Sequence, residues 1–260
     1  MAQDVVDLRN FYASPLGGVA HRLILRNLRQ RWDNCTGMSV LGLGYGPPYL
    51  EVFRPEALRS LAFMPAGQGV VRWPAGLPSA AALVETSLLP LPDSCIDRLL
   101  LVHALETAEH PQHMLAEAWR VLTPGGRMIV VAPNRRGVWA RLDTTPFGNG
   151  QPFSRGQLRD LLREALFLPL HATEALYMPP VSRAWMLRAA PAFERFGARL
   201  GLPGAGVLIV EATKQLYRPV GVARAVPQRL PQLQPGLVPA GRLRRGEGGE
   251  IDCPPRNACG

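Results

Sequence analysis

The stretch VLGLGYGPPYLEVF, residues 40–53, limits the folds open to this chain more than any other. A β-type apolar run enters a turn with Gly42, Gly44 and Gly46 at alternate positions, and Pro47 and Pro48 then open a helix. Glycine lets the backbone turn tightly and approach a neighbour closely, and proline in the first helical turn gives up no useful N–H. A helix start also presents unpaired N–H groups and the positive end of its dipole. In a doubly wound sheet such a turn lies at the carboxyl end of its strand, where ligands bind. The dinucleotide fingerprint GxGxxG is excluded, because its third glycine falls on Pro47; the spacing here is GxGxG.

The rest of the chain alternates in the same way. Residues 40–43, 60–64, 81–85, 96–102, 127–132, 170–177 and 207–212 read as strands, several continuously apolar as buried parallel strands are. Between them, Met114, Leu115, Ala118, Trp119 and Leu122 share one face of a helix over 113–122, ended by Pro124 and Gly125. Ser154 and Gln157 form a capping box before a helix whose Leu158, Leu161, Leu162, Ala165 and Leu166 oppose Arg155, Arg159 and Arg163. A further helix is expected over 182–200, interrupted at Pro191. Ahead of the first strand, Val19, Leu23, Ile24, Leu28 and Trp32 sit at helical spacing after a break at 14–18, with Arg22, Arg26 and Arg29 opposite. The pattern predicts an α/β fold with a doubly wound, Rossmann-like sheet and right-handed crossovers, with residues 1–38 as a helical cover.

Composition bounds the remainder. At 260 residues and 47% hydrophobic, the chain suits one large domain with appendages rather than a disordered polymer. Residues 218–260 hold seven Pro, seven Gly and seven Arg without an aromatic residue, so they are expected to form a disordered, solvated tail, with an Arg-rich arm for RNA or acidic partners as the alternative. The domain proper is then 39–217. The formal charge of +9 rests on 29 basic residues of which only Lys214 is lysine, a bias spread along the chain rather than a basic patch. The four cysteines form no CxxC pair, Asp4 and Asp7 precede any apolar run, and the apolar runs fall far short of the roughly 18 residues of a membrane span. A reduced, cytoplasmic chain is expected.

With the turn at 42–46, three later stretches carry a resemblance to a known family: ETSLLPLPDSCID (85–97), VHALETAEHP (102–111) and RVLTPGGRMIVVAPN (120–134). Together they resemble the class I S-adenosylmethionine-dependent methyltransferases, in particular those with a type 11 methyltransferase domain. The resemblance implies a seven-stranded sheet with a reversed last strand, GVLIVEATKQ at 206–215, and S-adenosyl-L-methionine as cofactor. It places the cofactor on Gly42, Gly44, Tyr45, Gly46, Met64, Glu85, Leu88 and His103, with Glu85 accepting from the adenine amino group. The chain departs from the family at Val40 and Leu41, at Pro48, and above all at Met64, where an acid normally holds the ribose hydroxyls. Losing a charge-assisted hydrogen bond costs about 1.5–3 kcal/mol, roughly tenfold to a hundredfold in affinity. Gln68 is expected to be an exposed loop amide, with ribose binding as the alternative.

Methyl transfer needs alignment, and a base where the acceptor must lose a proton. His103, after the fourth strand with Glu106 close by, is the candidate base; a polar pocket wall is the other reading. Glu106, Glu109, His110 and His113 lack the HExxH pattern and are split by Pro111, so no metal is expected. GPPY at 46–49 has Gly where the amino-methylating enzymes of nucleic acids carry Asn or Asp, and it follows the first strand rather than the fourth. The stretch 133–153, with Trp139, Phe147, Phe153, Arg135, Arg136 and Arg141, reads as a lid over the acceptor or as surface covering, and Met178-Pro179-Pro180 as closing the same mouth. No GxSxG or Walker sequence is present. The expected function is methyl transfer to a small-molecule acceptor, with neither nucleic acid nor a membrane as partner. The alternative is a methyltransferase fold that has become a binding or regulatory protein.

Overall fold

The computed structural model describes residues 4–201 and 204–216. The tail expected over 218–260 lies outside the described residues. Asp4 accepts from the Val6 amide at 3.0 Å and starts α1 (Val5–Ala13). Ser14 ends it and, accepting from the Gly17 amide at 3.1 Å with Pro15 behind it, starts α2 (Pro15–Arg31). The break expected over five residues is a single residue wide.

Seven strands form one sheet: β1 (Ser39–Gly44), β2 (Arg59–Pro65), β3 (Ala81–Val84), β4 (Ile96–Val102), β5 (Leu122–Pro133), β6 (Phe167–Ala175) and β7 (Val207–Lys214). Their order is β3-β2-β1-β4-β5-β7-β6, parallel from β3 to β5, with β7 antiparallel to both β5 and β6. The order reverses between β1 and β4. Every residue of β1 is buried, which is why that strand carries no alternation.

Side chains from alternate strand positions feed two cores. Val40, Leu100 and Val102 meet Leu23, Ile24 and Leu28 of α2. Leu41, Leu99 and Leu101 meet Met114, Leu115 and Ala118 of α4, the helix that follows a one-turn α3 (Pro47–Leu50). α4 (Pro111–Val121) and α5 (Arg155–Glu164) have the expected faces, and the Ser154–Gln157 capping box is formed in both directions. Lys214, the only lysine, is buried at the end of β7, where its Nζ donates to the Leu122 carbonyl at 2.6 Å and lies 4.1 Å from the Trp119 ring centroid.

Some local expectations are corrected. β6 begins and ends earlier than its apolar pattern, because Leu166 (φ 61°) and Leu176 (φ 64°) take left-handed conformations that bracket it. β5 pairs from Leu122 onward, with the Pro-Gly-Gly stretch absorbed as an irregularity between Ile96 and Arg98 on its neighbour. α6 (Ala184–Leu200) runs through Pro191 without interruption.

Candidate active site

β1 delivers the glycine turn to the carboxyl edge of the sheet beside β4. There Gly44 has φ +92°, and a Cβ on it would stand 2.1 Å from the Val102 carbonyl oxygen. A Cβ on Gly42 would meet Leu50 at 2.8 Å, and one on Gly46 would meet the Gly42 Cα at 3.1 Å. The Tyr45 amide donates to the same Val102 carbonyl at 2.8 Å. Gly44 is therefore already required by the approach of β1 to β4, whatever binds beside it, while at Gly42 and Gly46 a side chain would press on Leu50 and the Gly42 backbone.

A buried polar chain crosses the same edge. His103, at the end of β4, has φ +51°, uncommon for a residue with a side chain and the kind of strain that collects at functional sites. Its Nδ1 lies 3.2 Å from Glu106 Oε1, and its Nε2 lies 2.8 Å from the hydroxyl of Tyr12, the penultimate residue of α1. With the Glu106 carboxylate accepting from Nδ1–H, Nε2 is left to accept and Tyr12 donates to it. The Tyr49 hydroxyl stands 3.0 Å from that of Tyr12, and the Tyr12 ring stacks on Tyr45 at 5.6 Å with 20° between planes. Burial is the largest cause pushing the Tyr12 phenol well above its usual 10, with neighbouring Tyr49 adding to it.

The surroundings hold this chain in place. Phe147 packs 4.8 Å from the His103 ring, the Gln151 amide donates to the Glu106 carbonyl at 2.7 Å, and the Gln68 side-chain amide donates to the His103 carbonyl at 2.9 Å. Trp139 is wholly buried, donates to the Met178 carbonyl at 2.6 Å and sits edge-on to Phe147. The aromatic part of 133–153 is thus core rather than a lid, while Arg135, Arg136 and Arg141 are exposed. Tyr12 also lines a surface pocket of about 660 Å³ shared with Val19 and Arg22 of α2 and Leu187, Arg188 and Pro191 of α6.

At the β2–β3 end of the edge lies a cavity of about 290 Å³, lined by Pro65, Gln68, Glu85, Ala104, Thr107 and His110 among others. Gln68 is 5% exposed, not a loop amide in solvent, and its Oε1 is buried without a partner. Glu85 is exposed, its Oε1 accepting from the Ser87 amide and hydroxyl. Met64 does not line this cavity. β2 continues through Pro65, so the Met64 side chain turns into the core, where its sulfur accepts from the Val71 amide at 3.4 Å. Leu88 lies outside the cavity as well, 73% exposed. Among the described residues no group of His, Cys, Asp and Glu is placed to hold a metal. Of the expected site residues, the structure brings Gly42, Gly44, Tyr45, Gly46 and His103 together at one end of the edge and leaves Glu85 at the other.

The sheet order with its reversed β7 decides the fold, and solved structures repeat it. An S-adenosylmethionine-dependent methyltransferase of Thermotoga maritima superposes with a TM-score of 0.59 at 17% identity, covering 81% of this chain and 96% of that one. This is the class I methyltransferase fold. Residues 69–130 match the family model of a methyltransferase domain, a span that includes Glu85, His103 and Pro124-Gly125-Gly126 but not the glycine turn. The demethylmenaquinone methyltransferase of Thermus thermophilus is 24% identical over 60% of this chain and 65% of its own length. The ubiquinone/menaquinone C-methyltransferase of Acidiphilium cryptum is 41% identical over 54 residues, 21% of this chain and 22% of its own length. The chain thus spans less than two thirds of these curated relatives.

The residues fit S-adenosylmethionine unequally. The Glu85 carboxylate is an acceptor at the cavity suited to the amino or hydroxyl hydrogens of its adenosine part, while Gln68 lines the cavity with its Oε1 buried and without a partner. At the glycine turn, Tyr12 stacks on Tyr45, one of the residues on which the resemblance places the cofactor. Neither Tyr12 nor Tyr49 was among the sequence candidates. Tyr12 lies 91 residues from its histidine partner, and nothing in local spacing signals such a contact.

Proposed function

We propose that this chain is an S-adenosylmethionine-dependent methyltransferase acting on a small-molecule acceptor that must lose a proton. The observation that carries this is the buried Glu106–His103–Tyr12 chain at the carboxyl end of β4. When bound, the cofactor supplies an electrophilic methyl group. Glu85 and Gln68 hold its adenosine part. Glu106 fixes the His103 tautomer, so that Nε2 can take the Tyr12 proton while the phenolic oxygen takes one from the acceptor. The acceptor proton thus ends on the Tyr12 hydroxyl, and the Tyr12 proton ends on an imidazolium facing Glu106. Tyr12 links this buried chain to the pocket between α2 and α6. One relative is named for demethylmenaquinone, which favours a small quinone-like acceptor.

Titration calorimetry with S-adenosylmethionine and its demethylated product tests the reading. Micromolar binding that weakens about tenfold or more in Glu85→Ala is expected. No heat from either ligand at millimolar concentration overturns it, and favours the binding-protein reading that Met64 and the covered turn suggest. Binding with unchanged affinity in Glu85→Ala would leave the fold's cofactor site in place but remove Glu85 from it.

A further inference from the structure

α6 is packed the wrong way round for a helix whose apolar side chains serve only its own core. Inward it turns the half-buried Met186 and Leu187 of its first turn and then only small apolar residues: Ala190 and Gly197 are buried, and a Cβ on Gly197 would stand 2.2 Å from the Tyr177 ring. Four of its large apolar residues face out, with Trp185 59%, Phe193 37%, Phe196 69% and Leu200 63% exposed. At about 100° per residue these four fall within one arc of roughly 80°, with Ala189 between them. Arg188, Arg195 and Arg199 occupy an adjoining arc of about 40°, on the side towards the pocket that Arg188 and Leu187 share with Tyr12. Among the described residues none of the three is paired with a carboxylate. The one acid of the helix, Glu194, points inward and accepts from the Leu176 and Tyr177 amides at 2.7 and 2.9 Å.

We infer that this outer face of α6 docks on an anionic lipid bilayer. A large apolar stripe carrying tryptophan and phenylalanine beside a row of arginines is the arrangement of helices that lie in a membrane interface, the apolar residues entering the acyl boundary and the cations meeting acidic headgroups. An acidic protein surface would meet the arginines but leave the Trp185–Phe196 stripe in water, and an apolar protein groove would leave the arginine row without counter-charge. The helix does not span: no helix among the described residues is long and apolar enough to cross a membrane. The sequence shows no sign of a membrane partner, because its apolar runs are too short to span and 182–200 reads only as a helix interrupted at Pro191. The inference stands on α6 alone and holds whatever the chemistry at His103. Docked in this way, the pocket leading to Tyr12 opens beside the headgroups.

Co-sedimentation of the full chain with vesicles tests it. Binding is expected to vesicles of phosphatidylglycerol and phosphatidylcholine in equal parts, and not to pure phosphatidylcholine. Replacing Arg188, Arg195 and Arg199 by Gln should weaken it about a hundredfold. Trp185→Ser with Phe196→Ser should weaken it about tenfold or more while leaving the melting temperature and far-ultraviolet circular dichroism unchanged, since both side chains are exposed. No binding to the anionic vesicles overturns the inference. So does binding that survives both α6 variants but is lost on deletion of 218–260, which would assign it to that segment. Binding that RNA or polyglutamate abolishes, and that Trp185→Ser with Phe196→Ser leaves intact, overturns it in favour of a general polyanion site.

Discussion

The two ends of the carboxyl edge carry one family's motifs and have been built differently. At the β2–β3 end the expected ribose residue, Met64, is buried, yet the edge holds a cavity lined by the Glu85 carboxylate and by Gln68, whose Oε1 is buried without a partner. At the β1–β4 end the glycines are all present, yet they are packed against Val102, Leu50 and one another beneath Tyr12. A motif kept letter for letter can be consumed by internal packing, while a motif with its key letter missing can leave the space it served intact. The difference lies in what covers each end: α1 reaches over the turn with Tyr12, and at the other end its first residue only touches the rim, the Val5 amide donating to the Gln68 carbonyl at 2.8 Å.

The comparison breaks most visibly at Gly44. If packing alone demands glycine there, Gly44→Ala should cost more than about 4 kcal/mol, lowering the melting temperature by about 10 °C or abolishing folding, with or without cofactor. A variant that folds normally and only loses cofactor affinity would show that the turn is free for a ligand after all. Next in size, Tyr12→Phe should lower the turnover of an acceptor that loses a proton by about a hundredfold or more, with thermal stability reduced by about 1–3 kcal/mol because His103 Nε2 and the Tyr49 hydroxyl lose their partner. An unchanged rate would reduce Tyr12 to a cover. At the open end, Gln68→Leu should weaken adenosine binding about tenfold in calorimetry, because it removes the free acceptor; undiminished affinity would mean that Oε1 serves no ligand.

The smallest effect belongs to His21, which donates to the Pro48 carbonyl at 3.0 Å and helps hold α2 against the turn. Burial, more than nearby Arg22, lowers its pKa from the usual 6.5, against the opposing effect of that hydrogen bond. The unfolded chain therefore binds the proton first, so stability is full above about pH 6.5 and falls as the pH drops towards the lowered folded value. Denaturant melts should show this acid loss diminished in His21→Gln. An unchanged acid slope would place the loss elsewhere.

What the sequence disclosed follows range. The capping box, most of the α4 stripe and the continuous apolar strands are decided within a few residues and formed as read, except that Leu122, read into the stripe, begins β5. Gly44 was legible as a residue without a side chain, but a sequence cannot tell whether the missing Cβ makes way for a ligand or for Val102. His103 was found because it follows a strand end; its partner Tyr12 comes from another element, and only the folded cover brings the two together. Met64 was assigned to the site by alignment with a motif, whereas its actual direction is set by the strand's alternation one residue before Pro65. α6 failed differently. A helix was legible there, but the interruption read at Pro191 did not form, and Gly197 sits in tight approach to Tyr177 on the inner face while bulky Trp185 and Phe196 are exposed.

The burial of Lys214 has a use beyond the sheet it completes. Apart from the amino terminus of the chain, its Nζ is the one primary amine in 260 residues, and it is held against Leu122 and Trp119 with its pKa lowered by burial. Amine-reactive labels should therefore mark the native protein at its amino terminus and leave Lys214 almost unmarked. The rate at which the label reaches Lys214 then times the opening of the central sheet, a single-site clock written into the composition.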